Sequence, residues 1–434
     1  MITIKDIRLN VRKLFLFFIL LVSCLIVAES FQLPLMESLD NQLRINQMYR
    51  ASTEIYNLEI DNNWTETCLE YDWCTGEGTA DYPYIIKNLI INSSQEADNC
   101  YIINSNAHFK IENCSFEGIF NDESSVLLNI TNVTKGSIVN NTFLNGRIGI
   151  LLKNTNNMTI QLNNLNSAAE CMVIDNSTQH YILDNVISRS GIGIFLNNTK
   201  DITLNYNELS LNGVGISFFN STNGTCKDNK CYTGFRGIEL IAGSNYNDII
   251  DNVCNFNQFY GLVLERSKYN TIDRNEFSEN SVSGSIFKSL SDYNLFSHNN
   301  CSYNNDAGLE LINSSQNNIQ ENICNNNEDD GIIIKHCSDY NSIISNDCSH
   351  NHRFGIVIDQ SGFNYIKSNI LLGNDAGCFE KLGYNNEYFL NICGVTLKII
   401  LIPSVSLIFG VIFIVFLNRR YGFINKIRSE AKNI

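Results

Sequence analysis

The sequence predicts an all-β fold: a right-handed, single-stranded parallel β-helix of about 13 coils of 22–24 residues, with an N-terminal signal segment and a C-terminal transmembrane helix. Three observations carry this expectation. A glycine followed by alternating apolar residues recurs at Gly149, Cys171, Gly193, Gly215, Gly237, Gly261, Gly284, Gly308, Gly331, Gly355 and Gly377, in steps of 22 to 24. An asparagine series keeps the same step from Asn163 and Asn185 to Asn346 and Asn369. The chain holds 66 asparagines in 434 residues, and that excess needs a structural reason.

The alternation has period two, so the repeat unit is built of strands rather than helix pairs. A Ser-x-x-Asn signature lies between the glycine and asparagine series, as at Ser244…Asn247 and Ser338…Asn341. A further asparagine series runs through Asn257, Asn304 and Asn351. Each coil therefore reads as strand, Ser/Asn turn, strand, Asn turn and short strand. Asparagine tolerates the left-handed conformation that such corners demand. Stacked coil on coil, its amides can form hydrogen-bonded ladders. Right-handedness is the expectation for parallel crossovers.

Residues 1–30 read as a signal peptide. Lys5, Arg8, Arg12 and Lys13 precede the apolar run Leu14 to Val27, and small residues follow at Ala28 and Ser30. Residues 31–84 form an entry segment, and 85–393 the β-helix. Residues 395–417 match the thickness of a bilayer. The tail at 418–434 carries Arg419, Arg420, Lys426, Arg428 and Lys432, which places it in the cytoplasm and the β-helix outside. In that compartment the 13 Asn-x-Ser/Thr sequons become candidate glycan sites. Cys68 and Cys74, in the entry segment, become a candidate disulfide. Cys231, Cys254, Cys301, Cys324 and Cys348 share a coil position with Phe277 and Leu371 and so point inward. Core packing, bridges between coils and a soft-metal ladder all remain open for them. The net charge of −15 argues against a nucleic-acid partner.

Trp73-Cys-Thr-Gly76-Glu-Gly78-Thr79, then Tyr82-Pro-Tyr-Ile-Ile-Lys-Asn, lead into the Gly-Ile-x-Leu…Ser-x-x-Asn coils. Over residues 70–393 this pattern resembles the pectate-lyase-like β-helix superfamily. Within it the pattern is similar to the NosD-type, carbohydrate-binding and sugar-hydrolase proteins of archaeal and bacterial surfaces. The resemblance implies export and polysaccharide or metal-related roles that differ from member to member.

The chemistry-bearing candidates precede the coil glycines. Asp306, Asp329, Arg353 and Asp375 each stand two residues before one, and are expected to stack along one edge. With Asp330 they supply the catalytic candidates Asp306, Asp329, Asp330 and Arg353. Stacked carboxylates repel, so their pKa values are expected to rise. Glu328, Asp329, Asp375 and His352 are the candidate cation ligands, for Ca²⁺. Copper is the alternative, through His336, His350 and His352 with Cys337 and Cys348. The column two residues past each glycine, including Val263, Ile286, Ile333 and Val357, is expected to face outward as an apolar stripe. No Gly-x-Ser-x-Gly, Cys-x-x-Cys or His-Glu-x-x-His motif is present.

The functional expectation is a membrane-anchored surface module that binds carbohydrate or a surface protein. The alternatives are a polysaccharide lyase or glycoside hydrolase, and a NosD-like copper accessory protein.

Overall fold

The computed structural model describes residues 53–394 apart from 57, 93–99, 119–124 and 168. The readings at 1–30, 395–417 and 418–434 lie outside the described residues. Among those described, no helix is long and apolar enough to cross a membrane.

Period-two alternation gives strands, and stacking them in parallel gives a solenoid of about 13 turns. At about 4.8 Å per turn the rod is on the order of 60 Å long. Three parallel sheets run its length. The long-strand sheet has 14 strands, from Leu58–Asp61 to Gly377–Tyr384. The second has 15, from Cys74–Thr75 to Glu387–Phe389, and its first pairing is antiparallel. The third runs from Thr53–Ile55 to Lys230–Tyr232. It then thins to single bridges such as Val253↔Glu276, and re-forms between Ile370–Leu372 and Ile392–Gly394. The boundary at 85 needs correcting: Thr53 already pairs with Leu89 and Leu58 with Cys100, so the coils begin ahead of it.

The glycine series has a direct cause. A Cβ on Gly237 would lie 2.5 Å from the carbonyl oxygen of Gly261, and one on Gly331 would lie 2.5 Å from that of Gly355. At these glycines a side chain would meet the next coil's carbonyl. Leu127, Cys171 and the last step are exceptions. Gly377 pairs with Phe354, so Cys378 takes the place of the coil glycine.

Inside, Ile, Leu and Phe fill the bore. Ile238, Leu240, Ile249, Phe277 and Phe296 are fully buried, each stabilising the rod by roughly 1.5–3 kcal/mol. The five inward cysteines pack among them as free thiols. Burial pushes Cys231 and Cys301 well above the usual thiol range.

The asparagines form the expected ladders. Asn229 donates its backbone N–H and its Nδ2 to Oδ1 of Asn252, at 2.9 and 3.0 Å, and its Nδ2 also to the carbonyl of Leu204. The same pattern repeats from Asn141 to Asn391 along one corner and from Asn247 to Asn386 along another. Outside each ladder, the neighbouring corner residue often has positive φ, as at Asn132, Asn176 and Asn220.

The helix Trp64–Glu70 closes the N-terminal end. Trp64 stacks on Tyr84 and Phe109, each at 5.1 Å, and donates its Nε1 to Ser105 Oγ. Cys68 and Cys74 are disulfide-bonded beside it.

Candidate functional site

The most structured cleft lies on the outer face of the long-strand sheet, near its C-terminal end. One column of turn residues forms its edge: Phe235, Phe259, Val282, Asp306, Asp329 and Arg353. Each donates its backbone N–H to the carbonyl of the residue before it, as from Asp306 to Val282 at 3.0 Å and from Arg353 to Asp329 at 2.9 Å. The six span about 24 Å at the inter-strand spacing.

The expected apolar stripe is the floor of this cleft rather than an exposed surface. Val263 is 1% exposed, Ile333 8% and Val357 6%. Ala307 and Phe354, one residue before the glycines, pack over Ile333 and Val357. The outward alternation holds, but the turn residues fold across it.

The cleft has a volume of about 290 Å³ and is walled by Asp306, Glu310, Asp329, Asp330, Lys335 and Arg353, among others. Thus all four catalytic candidates come together. Arg353 Nη1 lies 3.0 and 3.3 Å from the Asp329 oxygens and 3.5 Å from Asp330 Oδ2. Asp330 is 1% exposed, and its Oδ1 accepts the Phe354 N–H at 2.7 Å. Burial pushes its carboxyl up to about 6. Asp306 is likewise pushed up to about 6, by burial first and then by the charges of Glu310 and Asp329. Asp306 and Asp329 are successive members of the edge column, joined by the Asp329 N–H to Asp306 carbonyl bond at 3.1 Å.

Sequence reasoning missed Glu310 and Lys335 as members of the site. Glu310 is almost fully buried. It accepts from Ser283 Oγ at 2.6 Å and from Lys335 Nζ at 2.9 Å. The signal available was Glu310 itself, a carboxylate in the mostly apolar column two residues past the glycines.

Asp375 corrects the expected stacking. Because the last coil is shifted by one residue, Ala376 rather than Asp375 donates to the carbonyl of Arg353. Asp375 instead follows His352 and Glu328 in the neighbouring column. There His352 Nδ1 lies 2.8 Å from Glu328 Oε2. The proposed Ca²⁺ ligands thus divide: Glu328 faces His352, and Asp329 faces Arg353. Among the described residues, no three His, Cys, Asp or Glu are grouped to hold a metal.

Two exposed aromatic rows run along the rod. Tyr246, Tyr269 and Tyr293 stack face to face at 5.1 and 5.0 Å. Phe235 and Phe259, at the head of the cleft edge, stack on each other at 5.8 Å and stay about half exposed.

The sequence matches the family model described as periplasmic copper-binding protein (NosD), over residues 75–259 and 147–300, which together span 75–300. The chain belongs to the NosD family. A second model, right handed beta helix region, matches residues 236–391. No curated protein matches the sequence. Among solved structures, this NosD chain is similar to the Azotobacter vinelandii mannuronan C-5 epimerase AlgE6 A-module. The identity is 13%, over 73% of this chain and 90% of that one, with a TM-score of 0.48. For the periplasmic alginate epimerase AlgG the values are 15%, 71%, 85% and 0.47. For PfbA, a surface adhesin of Streptococcus pneumoniae, they are 13%, 71%, 82% and 0.41.

The donor set of this NosD chain does not fit copper. Its inward thiols are closed off from solvent, and burial raises Cys231 and Cys301 well above the usual thiol range, whereas a soft metal binds thiolate. His336 and His352 are engaged at separate corners, with Gln360 and Glu328.

Proposed function

We propose that the chain is a surface-displayed binding module that holds a neutral glycan along the cleft edge from Phe259 to Arg353. The observation that carries this reading is the charge of the cleft. Asp306, Glu310, Asp329, Asp330, Asp359 and Glu380 oppose only Lys335 and Arg353, a formal 2 − 6 = −4. Protonating Asp306 and Asp330 still leaves −2. A polyuronate would be repelled, whereas carboxylates in the walls accept hydrogen bonds from sugar hydroxyls and the half-exposed Phe259 offers apolar surface.

The same geometry argues against catalysis. A glycosidase needs two carboxyl groups on opposite sides of one bond, about 5–9.5 Å apart. Asp306 and Asp329 are neighbours in one column of turns and lie on one side of the cleft. A lyase needs cations to neutralise a uronate, and the cleft is net negative. One observation favours hydrolysis as a second reading: Asp306, near 6, is placed to act as an acid.

In this reading residues 395–417 anchor the chain and the rod projects outward. The test is glycan-array binding by the full chain recovered from membranes. Binding to neutral glycans is expected, with Phe259→Ala and Asp329→Asn each weakening it about tenfold, or 1.4 kcal/mol. Binding confined to uronates, or none, overturns the glycan assignment. Release of the chain by an alkaline wash overturns the anchor. Turnover of a bound glycan that Asp306→Asn abolishes would establish the hydrolase instead.

A further inference from the structure

The coil glycine and the inward cysteine face each other across the bore. A Cβ on Gly237 would lie 2.6 Å from Cys254 Cβ, one on Gly308 2.8 Å from Cys324 Cβ, and one on Gly331 2.6 Å from Cys348 Cβ. These positions are therefore neighbours in every such coil, and glycine is what keeps them apart.

In the last coil both positions hold cysteine. Gly377 pairs with Phe354, which puts Cys378 in the glycine's place after Gly355. Leu371 pairs with Cys393, which makes Cys393 the final member of the inward cysteine column. Cys378 Sγ lies 3.5 Å from the carbonyl oxygen of Leu371, over the residue that Cys393 pairs with. The two side chains, both free thiols in this structure, are thus brought to one corner of the coil, and a disulfide there needs their Cβ atoms about 3.8 Å apart.

Access separates this pair from the others. Cys231, Cys254, Cys301, Cys324 and Cys348 are at most 1% exposed, so no oxidant reaches them. Cys393 is exposed and Cys378 half-buried. The strand that carries Cys378 is the least buried of the long-strand sheet, with Leu382 and Tyr384 open to solvent. Among the described residues this coil has one stacked neighbour, and such a coil gains most from a cross-link.

We propose that Cys378 and Cys393 form a disulfide that locks the last coil closed. One thiolate attacks the disulfide of an oxidant, a small-molecule or protein disulfide, and releases one oxidant thiol. The second cysteine then attacks the mixed disulfide and releases the other. Two hydrogens leave the protein, and the oxidant departs as two thiols. Burial and the facing Cys378 push the Cys393 thiol up to about 12, so closure accelerates as pH rises through the neutral and alkaline range.

The test is a non-reducing peptide map of the full chain after incubation with oxidised and reduced glutathione. Free thiols are blocked before digestion, and Cys68–Cys74 serves as the internal standard. A linked peptide joining Cys378 and Cys393 is expected, together with reductant-dependent proteolysis near 377–394 that Cys393→Ser removes. Alkylation of both thiols under conditions that keep Cys68–Cys74 closed would overturn the proposal. So would partnering of either cysteine with another residue.

Discussion

Replacing Asn299 by leucine is expected to cost about 3 kcal/mol or more, a large share of the 5–15 kcal/mol that holds a domain folded. Asn299 Nδ2 donates to the carbonyl of Ile272 and to Asn322 Oδ1, at 2.9 and 3.1 Å. Its Oδ1 accepts from the backbone N–H and the Nδ2 of Asn275, at 2.8 and 3.0 Å. Leucine has a similar volume and removes all four bonds; Asn275 Nδ2 keeps the Ile249 carbonyl, but the Asn275 backbone N–H loses its acceptor inside the rod. An orphaned buried group costs roughly 1–3 kcal/mol and each further lost bond about 1, which sets the scale. The control is Asn198→Ala, which removes an exposed rung of an outer ladder, Asn198 Nδ2 to Asn176 Oδ1 at 2.9 Å. Water replaces that bond, and alanine in the left-handed conformation at Asn198 adds a backbone penalty, so about 1 kcal/mol is expected. Denaturant unfolding of both variants decides the matter. Equal losses would mean that the inner ladder does not stabilise the coil. In a solenoid the damage stays local, so amide exchange should rise first between Asn275 and Asn322.

Much of the fold was legible because every rung repeats the same physical problem. Glycine recurs where the next coil's carbonyl leaves no room, and asparagine recurs where a corner must satisfy two donors and an acceptor. Both constraints act within one coil step, so a single sequence displays them many times. The site is less legible because it depends on one coil differing from its neighbours. Asp306, Asp329 and Arg353 could be aligned by counting back from the glycines. Asp375 could not, since its coil replaces the glycine with Cys378 and the count slips by one. The burial of Val263 and Ile333 was hidden for another reason. Alternation tells which face a side chain takes, but not whether Tyr260 or Phe354 folds back over it. The entry boundary was missed because Thr53–Ile55 and Leu58–Asp61 are too short to show a period.

Acid should weaken the rod through His180, and an asparagine there should remove that weakness. His180 occupies a ladder position that Asn247 and Asn270 fill in later coils, and it is fully buried. Its Nδ1 accepts the backbone N–H of Met158 at 3.0 Å, which leaves the proton on Nε2, 3.0 Å from Thr155 Oγ1. Protonation at Nδ1 would both bury a charge and break the Met158 bond. Burial accordingly lowers its pKa from 6.5 to about 4. The sign follows from which state binds the proton first. Above about 6.5 both folded and unfolded chains are neutral at this site, and its contribution is complete. Between 6.5 and 4 only the unfolded chain takes up the proton, so stability falls as pH falls, by about 3 kcal/mol in total. Asp306 and Asp330 act in the opposite direction. Their raised values favour the folded state at low pH, and that contribution is lost as pH rises through about 6. Comparing the wild-type chain with His180→Asn cancels them, because both proteins carry the same acids. Denaturant midpoints between pH 4 and 8 should show the variant gaining on the wild type as pH drops, with the difference levelling off near 4. Parallel curves would mean that His180 is not held neutral in the folded rod.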